Sequence, residues 1–263
     1  MTEQIKSVTC NDFESSLRSA QIVQQGLLPK ARHFDRNFEN SFVIYLPQHI
    51  ISGDFYWVGK SKGLKYIAVG DCTGHGVSGA LLSVLGLNLL EYAIMNKGIK
   101  KTNKILKELD ARFLESFQSY STDKFDNPWI DISLVCIDEK EHKIHFAGGN
   151  RKMLLVPQSN APTLHSSNRY PIGGWQIETD RKFESKTVSF EKGDRLFIGS
   201  DGIQDQLGGK KNKKFKSRQL HSILTDSSQL TMKEQKEYIL EQFNDWKGKS
   251  DQTDDVCLVG VQL

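Results

Sequence analysis

The chain has 263 residues, 35 Lys and Arg against 32 Asp and Glu, a net charge of +3 and 38% hydrophobic residues. That suits one large domain or two small ones, and the positive charge is too weak to argue for nucleic acid. Four cysteines, Cys10, Cys72, Cys136 and Cys257, show no CxxC spacing and read as reduced buried thiols; a polar N-terminus and no unbroken run of ~18 apolar residues point to the cytoplasm rather than export or a membrane span.

Residues 11–29, NDFESSLRSAQIVQQGLLP, read as a helix that Asn11 or Asp12 caps and Pro29 ends. Its apolar residues Phe13, Leu17, Ile22, Val23 and Leu27 make no single narrow stripe. It either packs on the domain or pairs with a second copy of itself as a homodimer. The chain therefore divides into residues 1–30, a leading helix that is regulatory or dimerising, and residues 31–263, one domain.

Residues 42–47 and 50–58 read as two strands joined by a short turn, with Asp54 the odd carboxylate in the aromatic SGDFYWV. After the hairpin loop GKSKG, residues 64–69 form a buried strand that delivers Asp71. A glycine-rich turn comes next, holding Gly74, Gly76 and Gly79, and a helix begins at Val77 with Ala80, Leu81, Val84, Leu85, Leu89 and Tyr92 at helical spacing. A carboxylate beside a helix N-terminus suits a metal ion that in turn holds phosphate; it also suits a plain strand–turn–helix connection.

Residues 102–117 form an amphipathic helix through Ile105, Leu109, Phe113 and Phe117. Strands lie at 129–137, 142–147, 151–156 and 187–190, close enough together to pair antiparallel. A buried strand at 195–198 runs into GSDGIQDQLGG, then come a lysine-rich loop at 210–216, helices at 217–224 and 231–246, and a last strand at 255–263. Strands at both ends of the chain joining one core imply a layered α+β sandwich.

Four acidic positions share one context, a strand end beside a turn: Asp54, Asp71, Asp201 and the pair Asp254 and Asp255. Carboxylates at neighbouring strand ends converge on one point, and oxygen-only ligation suits Mg²⁺ or Mn²⁺. Singly, each is equally a turn residue or a helix cap.

In this order, SGDFYW, GDCTGHGVSGALLS, GGNRKMLL, RYPIGG, GSDGIQDQLGG and QTDDVCLVGV resemble the SpoIIE-type bacterial branch of the metal-dependent serine/threonine protein phosphatases, the type 2C-like or PPM family. GGNRKMLL, DQLGG with KKF, and QTDD look most like the partner-switching phosphatases of the SiaA kind. The resemblance spans residues 24–263 and implies a central antiparallel β-sandwich of two sheets flanked by helices, in α-β-β-α layers, with a two-metal site at one edge. By motif position Asp71 would bridge both metals, Asp201 and Asp254 would complete one shell, and the backbone carbonyl of Cys72 would serve the other. Asp54 would be a ligand or a partner of one, and Asp255 would support or replace Asp254.

The implied reaction is hydrolysis of phosphoserine or phosphothreonine by water activated on two Mn²⁺ or Mg²⁺ ions, with no covalent enzyme intermediate, so Cys72 is not a nucleophile. His75 either donates a proton to the leaving oxygen or only hydrogen-bonds within its turn. The implied substrate is a phosphorylated regulatory protein of the anti-sigma-factor-antagonist kind. The lysine-rich loop docks that protein or is simply solvated. Three departures stand out: Trp57 replaces the second aspartate of GGDFYD and puts an indole near the site, the turn DCTGHG is longer than the eukaryotic DGHG, and no equivalent of the eukaryotic phosphate-gripping arginine is found at the matching motif. The other readings are a pseudophosphatase that binds a phosphoprotein without turnover, and a small-molecule phosphohydrolase.

Overall fold

Residues 10–74, 76–117, 127–159, 161–174 and 181–263 are described by the structure, a computed structural model. Helix α1 (Cys10–Leu27) and a short α2 (Ala31–Asp35) precede β1 (Ser41–Leu46), β2 (Asp54–Ser61) and β3 (Leu64–Cys72). Helix α3 (Val77–Glu91) runs into a π-helical turn at Tyr92–Asn96 and is followed by α4 (Thr102–Phe117). Next come β4 (Trp129–Asp138), β5 (Lys143–Gly149), β6 (Lys152–Val156), β7 (Thr163–Ser166), β8 (Ile172–Gly173), β9 (Lys186–Ser189) and β10 (Arg195–Gly199). The chain closes with α5 (Gly202–Asp205), β11 (Leu207–Gly208), β12 (Lys213–Lys214), α6 (Ser217–Asp226), α7 (Met232–Lys247) and β13 (Val256–Gln262).

The strands form two main antiparallel sheets, one in the order β2-β3-β4-β5-β9 with β8 on the start of β4, the other in the order β1-β13-β10-β6-β7. Alternation along each strand sends its two faces into different cores. On β3, Tyr66 and Ala68 pack with Leu90, Ile105 and Phe113 under α3 and α4, whereas Ile67 and Val69 meet Met153, Leu196 and Val259 of the second sheet. On the far face of that sheet, Phe42, Leu154 and Phe197 pack against Leu220, Ile239 and Phe243 of α6 and α7. The result is the expected α-β-β-α sandwich.

Two connections depart from the sequence reading. The strands expected as a hairpin over 42–58 lie in different sheets: β1 pairs β13 and β2 pairs β3, so residues 47–53 cross the sandwich. Likewise β5 and β6, separated by only Asn150 and Arg151, belong to opposite sheets. Strand patterns set which residues are extended, but pairing partners are settled by which apolar faces meet.

Helix α3 also differs from its expected stripe. Val77 and Leu81 are 47% and 67% exposed, and the buried face takes in Gly79, Ser83, Gly86 and Leu90. The helix is apolar nearly all round, so spacing does not select a face. The stretch Val77–Asn96 has the length and composition of a membrane span, which no strict run of apolar residues signals, yet over half of it is buried in the helix-side core. Close approach selects the buried face: a Cβ on Gly86 would stand 2.6 Å from the ring of Phe55, itself fully buried. Gly86→Ala is expected to cost roughly 1–3 kcal/mol of stability, read as a lower midpoint in urea unfolding with an unchanged slope.

Candidate active site

Three neighbouring strands set carboxylates side by side. Asp54 on β2 stands opposite Asp71 on β3, and Asp71 stands opposite Asp131 on β4. The row shares the face that carries Val69 and Val135, so it looks toward the second sheet. From that sheet Asp201 follows β10 and heads α5, while Asp254 and Asp255 precede β13. The same alternation puts Trp57 on the opposite face, buried in the helix-side core with its Nε1 donating to Glu91 Oε2 at 3.2 Å. The indole expected near the site belongs to the helical layer instead.

The crossing between β5 and β6 supplies a cation. Asn150 takes a left-handed φ of 55°, which Asn tolerates, and turns Arg151 inward, leaving it 8% exposed. Arg151 Nη2 ion-pairs with Asp71 Oδ2 and lies 3.4 Å from Asp131 Oδ2, while Nη1 lies 2.8 Å from Asp201 Oδ2. Asn150 Nδ2 donates to Asp131 Oδ1 at 2.9 Å. Sequence reasoning singles out neither Asp131 nor Arg151. Asp131 becomes visible only through its register with Asp71, and Arg151 only through the change of sheet that Gly148, Gly149 and Asn150 punctuate.

Charge is in excess here. Asp54 is 1% exposed, and its Oδ2 has no hydrogen-bond partner; Arg151 Nε is likewise buried and unpartnered. Burial, with the neighbouring Asp71, holds the Asp54 carboxyl well above the usual range. Asp71 is pushed up to about 8, chiefly by burial, with Arg151 opposing and Asp201 and Asp254 adding to the rise. Asp201 is also disfavoured as an anion by burial, but Arg151 outweighs this and holds its carboxyl below the usual range. Burial likewise raises Asp131, and partial desolvation with the neighbouring carboxylates Asp201 and Asp255 raises Asp254.

Asp255 is engaged differently. Its Oδ1 accepts the Gln48 N–H and its Oδ2 the Gly53 N–H, both at 2.7 Å, which ties the crossing before β2 to the start of β13. Asp254 is exposed, and its Oδ1 accepts the Asp255 N–H at 2.8 Å. The carbonyl oxygens of Cys72 and Gly74 close on Gly53, where a Cβ would stand 3.3 and 3.2 Å from them. The Cys72 thiol is buried, and burial raises its pKa further from reactivity. His75 lies outside the described residues.

Among the described residues no three His, Cys, Asp or Glu side chains are gathered as a ready metal shell. Arg151 stands in the middle of the carboxylates instead. The donor chemistry nevertheless fits a hard divalent cation: all oxygen, anionic in excess, with one buried carboxylate oxygen unpaired. Beside the cluster opens a cavity of about 270 Å³ whose lining includes Asp131, Arg151, Lys152, Asp201 and His221.

Comparison with known proteins shows the family and the fold. The family described as stage II sporulation protein E (SpoIIE) matches residues 61–263. The phosphoserine phosphatase RsbP of Bacillus subtilis (strain 168) is 26% identical over 215 residues, covering 81% of this chain and 49% of RsbP, so the chain spans about half the length of that relative. The SiaA-PP2C domain of Pseudomonas aeruginosa superposes with a TM-score of 0.85 at 26% identity, covering 96% of this chain and 98% of that domain. RsbX, solved in complex with magnesium, shares the fold with a TM-score of 0.59 at 16% identity over 85% of this chain and 94% of RsbX.

A carboxyl whose native pKa exceeds its unfolded one binds more protons when folded, so its contribution to stability is lost as pH rises between the two values. For Asp71 that window runs from about 4 to about 8. Without divalent cations, Asp71→Asn should therefore match the parent near pH 4.5 and exceed its melting temperature by on the order of 5 °C at pH 8, in thermal scans across that range.

Proposed function

This chain belongs to the stage II sporulation protein E (SpoIIE) family of PP2C-type phosphatases, and from that premise we propose that it hydrolyses phosphoserine or phosphothreonine on a regulatory partner protein in a bacterial partner-switching pathway. The observation that carries the reading is the row Asp54, Asp71 and Asp131 facing Asp201 across the sandwich, with a buried oxygen of Asp54 left unpaired. Two divalent cations of the Mg²⁺ or Mn²⁺ kind would supply a bound water of lowered pKa and a clamp on the phosphoryl oxygens. Asp71 would be shared between them, Asp201 and Asp254 would serve one, and the Cys72 carbonyl the other, with Asp54 beside it. Asp255 holds the crossing at Gln48 and Gly53 in place and so positions Asp54. His75 is the proposed proton donor to the leaving oxygen.

The magnesium bound by RsbX supports the class of ion. The name of RsbP supports a phosphoserine ester as substrate. The substrate protein would be of the anti-sigma-factor-antagonist kind, with the lysine-rich loop over 210–216 as a basic approach to it. A binding module without turnover would have no use for so many buried like charges. Three described cysteines, all free and buried, suit the cytoplasm.

Residues 1–30 are proposed as the regulatory or dimerising element. Gln24, buried on α1, donates to the Ser52 carbonyl at 2.6 Å and to Ser83 Oγ at 2.9 Å, and accepts the Ser52 N–H at 3.1 Å. The same helix leaves Phe13, Ile22, Val23 and Leu27 exposed, an apolar surface suited to a second copy.

With Mn²⁺, the purified protein should turn over p-nitrophenyl phosphate and a phosphoprotein, and Asp201→Ala should lower kcat/KM at least about 100-fold. Phosphoprotein binding with no turnover of any ester would overturn the enzymatic reading, and turnover of metabolites alone would point to a small-molecule phosphohydrolase. Deleting residues 1–30 should change either turnover or the mass seen in sedimentation; an unchanged value of both would refute the role given to the helix.

A further inference from the structure

We propose that Arg151 is a built-in competitor for the divalent cation, occupying the carboxylates in the metal-free protein and leaving them when the ion enters. This role rests on the proposed metal-dependent reading of the site and goes beyond it, because it concerns what holds the site before metal arrives. The guanidinium reaches Asp71 and Asp131 of one sheet and Asp201 of the other, so one side chain bridges the open end of the sandwich. It takes Oδ2 of Asp71 and Oδ2 of Asp201, the two residues on which the proposed ligand set most depends. A divalent ion held by those carboxylates would come within a few ångströms of a full positive charge, a repulsion that a buried site screens poorly.

The fit of the arginine is also incomplete. Its Nε is buried without a partner, and Asp54 Oδ2, in the same row, is not reached. A side chain in its only resting place is normally satisfied at every buried polar atom. Room for a second place adjoins it: the cavity of about 270 Å³ is lined by Arg151 itself and by Asn150, Ser200, Gln204 and Ser217, all able to accept from a guanidinium. Metal affinity is then the intrinsic affinity multiplied by the fraction of molecules in which the arginine is out of the way.

The test is calorimetric titration of the full chain with Mn²⁺ at pH 8, comparing the parent, Arg151→Gln and Arg151→Lys. Arg151→Gln should bind Mn²⁺ about tenfold or more tightly, Arg151→Lys should lie between, and both should melt lower than the parent without metal. A second measurement needs no variant protein to be stable. In ¹⁵N-labelled parent protein the Arg151 Nε–H resonance should shift during a Mg²⁺ titration with the same midpoint as the heat of binding. Unchanged or weaker Mn²⁺ binding by folded Arg151→Gln, or an Nε–H signal that does not move at saturation, would overturn the role of Arg151 alone. Absence of Mn²⁺ and Mg²⁺ binding in every form would instead overturn the metal reading and this inference with it.

Discussion

Three like charges side by side on adjacent strands are the constraint to which this end of the molecule answers. Asp54, Asp71 and Asp131 occupy directly opposed positions across β2, β3 and β4, where cross-strand repulsion is strongest. They face inward, where a carboxylate is costly as an anion. The fold meets this in three ways: burial lifts the Asp71 carboxyl above the usual range, Arg151 bridges the row to Asp201, and the anionic excess suits a hard divalent cation.

The scaffold that enforces this arrangement is apolar and buried. Three cores, one between the sheets and one under each helical layer, fix the strands, and the site is built where chain segments pass from one sheet to the other. Such crossings need backbone conformations and close approaches that side chains obstruct. Hence Gly53 sits against the carbonyls of Cys72 and Gly74, and a Cβ on Gly79 would lie 2.5 Å from the Gly74 oxygen. Asp255 completes the arrangement by holding the first crossing through two backbone N–H groups.

One continuous set of contacts leads from α1 to this end of the sandwich. Gln24 bonds Ser52 through both its donor and its acceptor, and Ser52 Oγ accepts the Asp54 N–H at 3.0 Å. A shift of α1 therefore bears on the backbone of a carboxylate in the row. The same glutamine reaches Ser83 on α3, the helix whose first turn follows the Asp71 strand.

Much of this was legible in the chain itself, because it rests on local rules. Apolar spacing marked α4, and the Thr231–Glu234 capping box that the structure shows at the start of α7 is a purely local interaction. The ordered motifs identified the family and the sandwich, and they pointed to the carboxylates Asp54, Asp71, Asp201 and Asp254 as candidates. Tertiary structure alone decided which strands became neighbours, and with that which charges meet. Asp131 matters only because β4 pairs with β3 in one register, Arg151 only because two residues carry the chain from one sheet to the other, and Trp57 lies away from the site because strand parity sends it to the opposite core. Local sequence specifies what each segment can bury, whereas partners and register are set by the simultaneous packing of three cores, which no single segment contains.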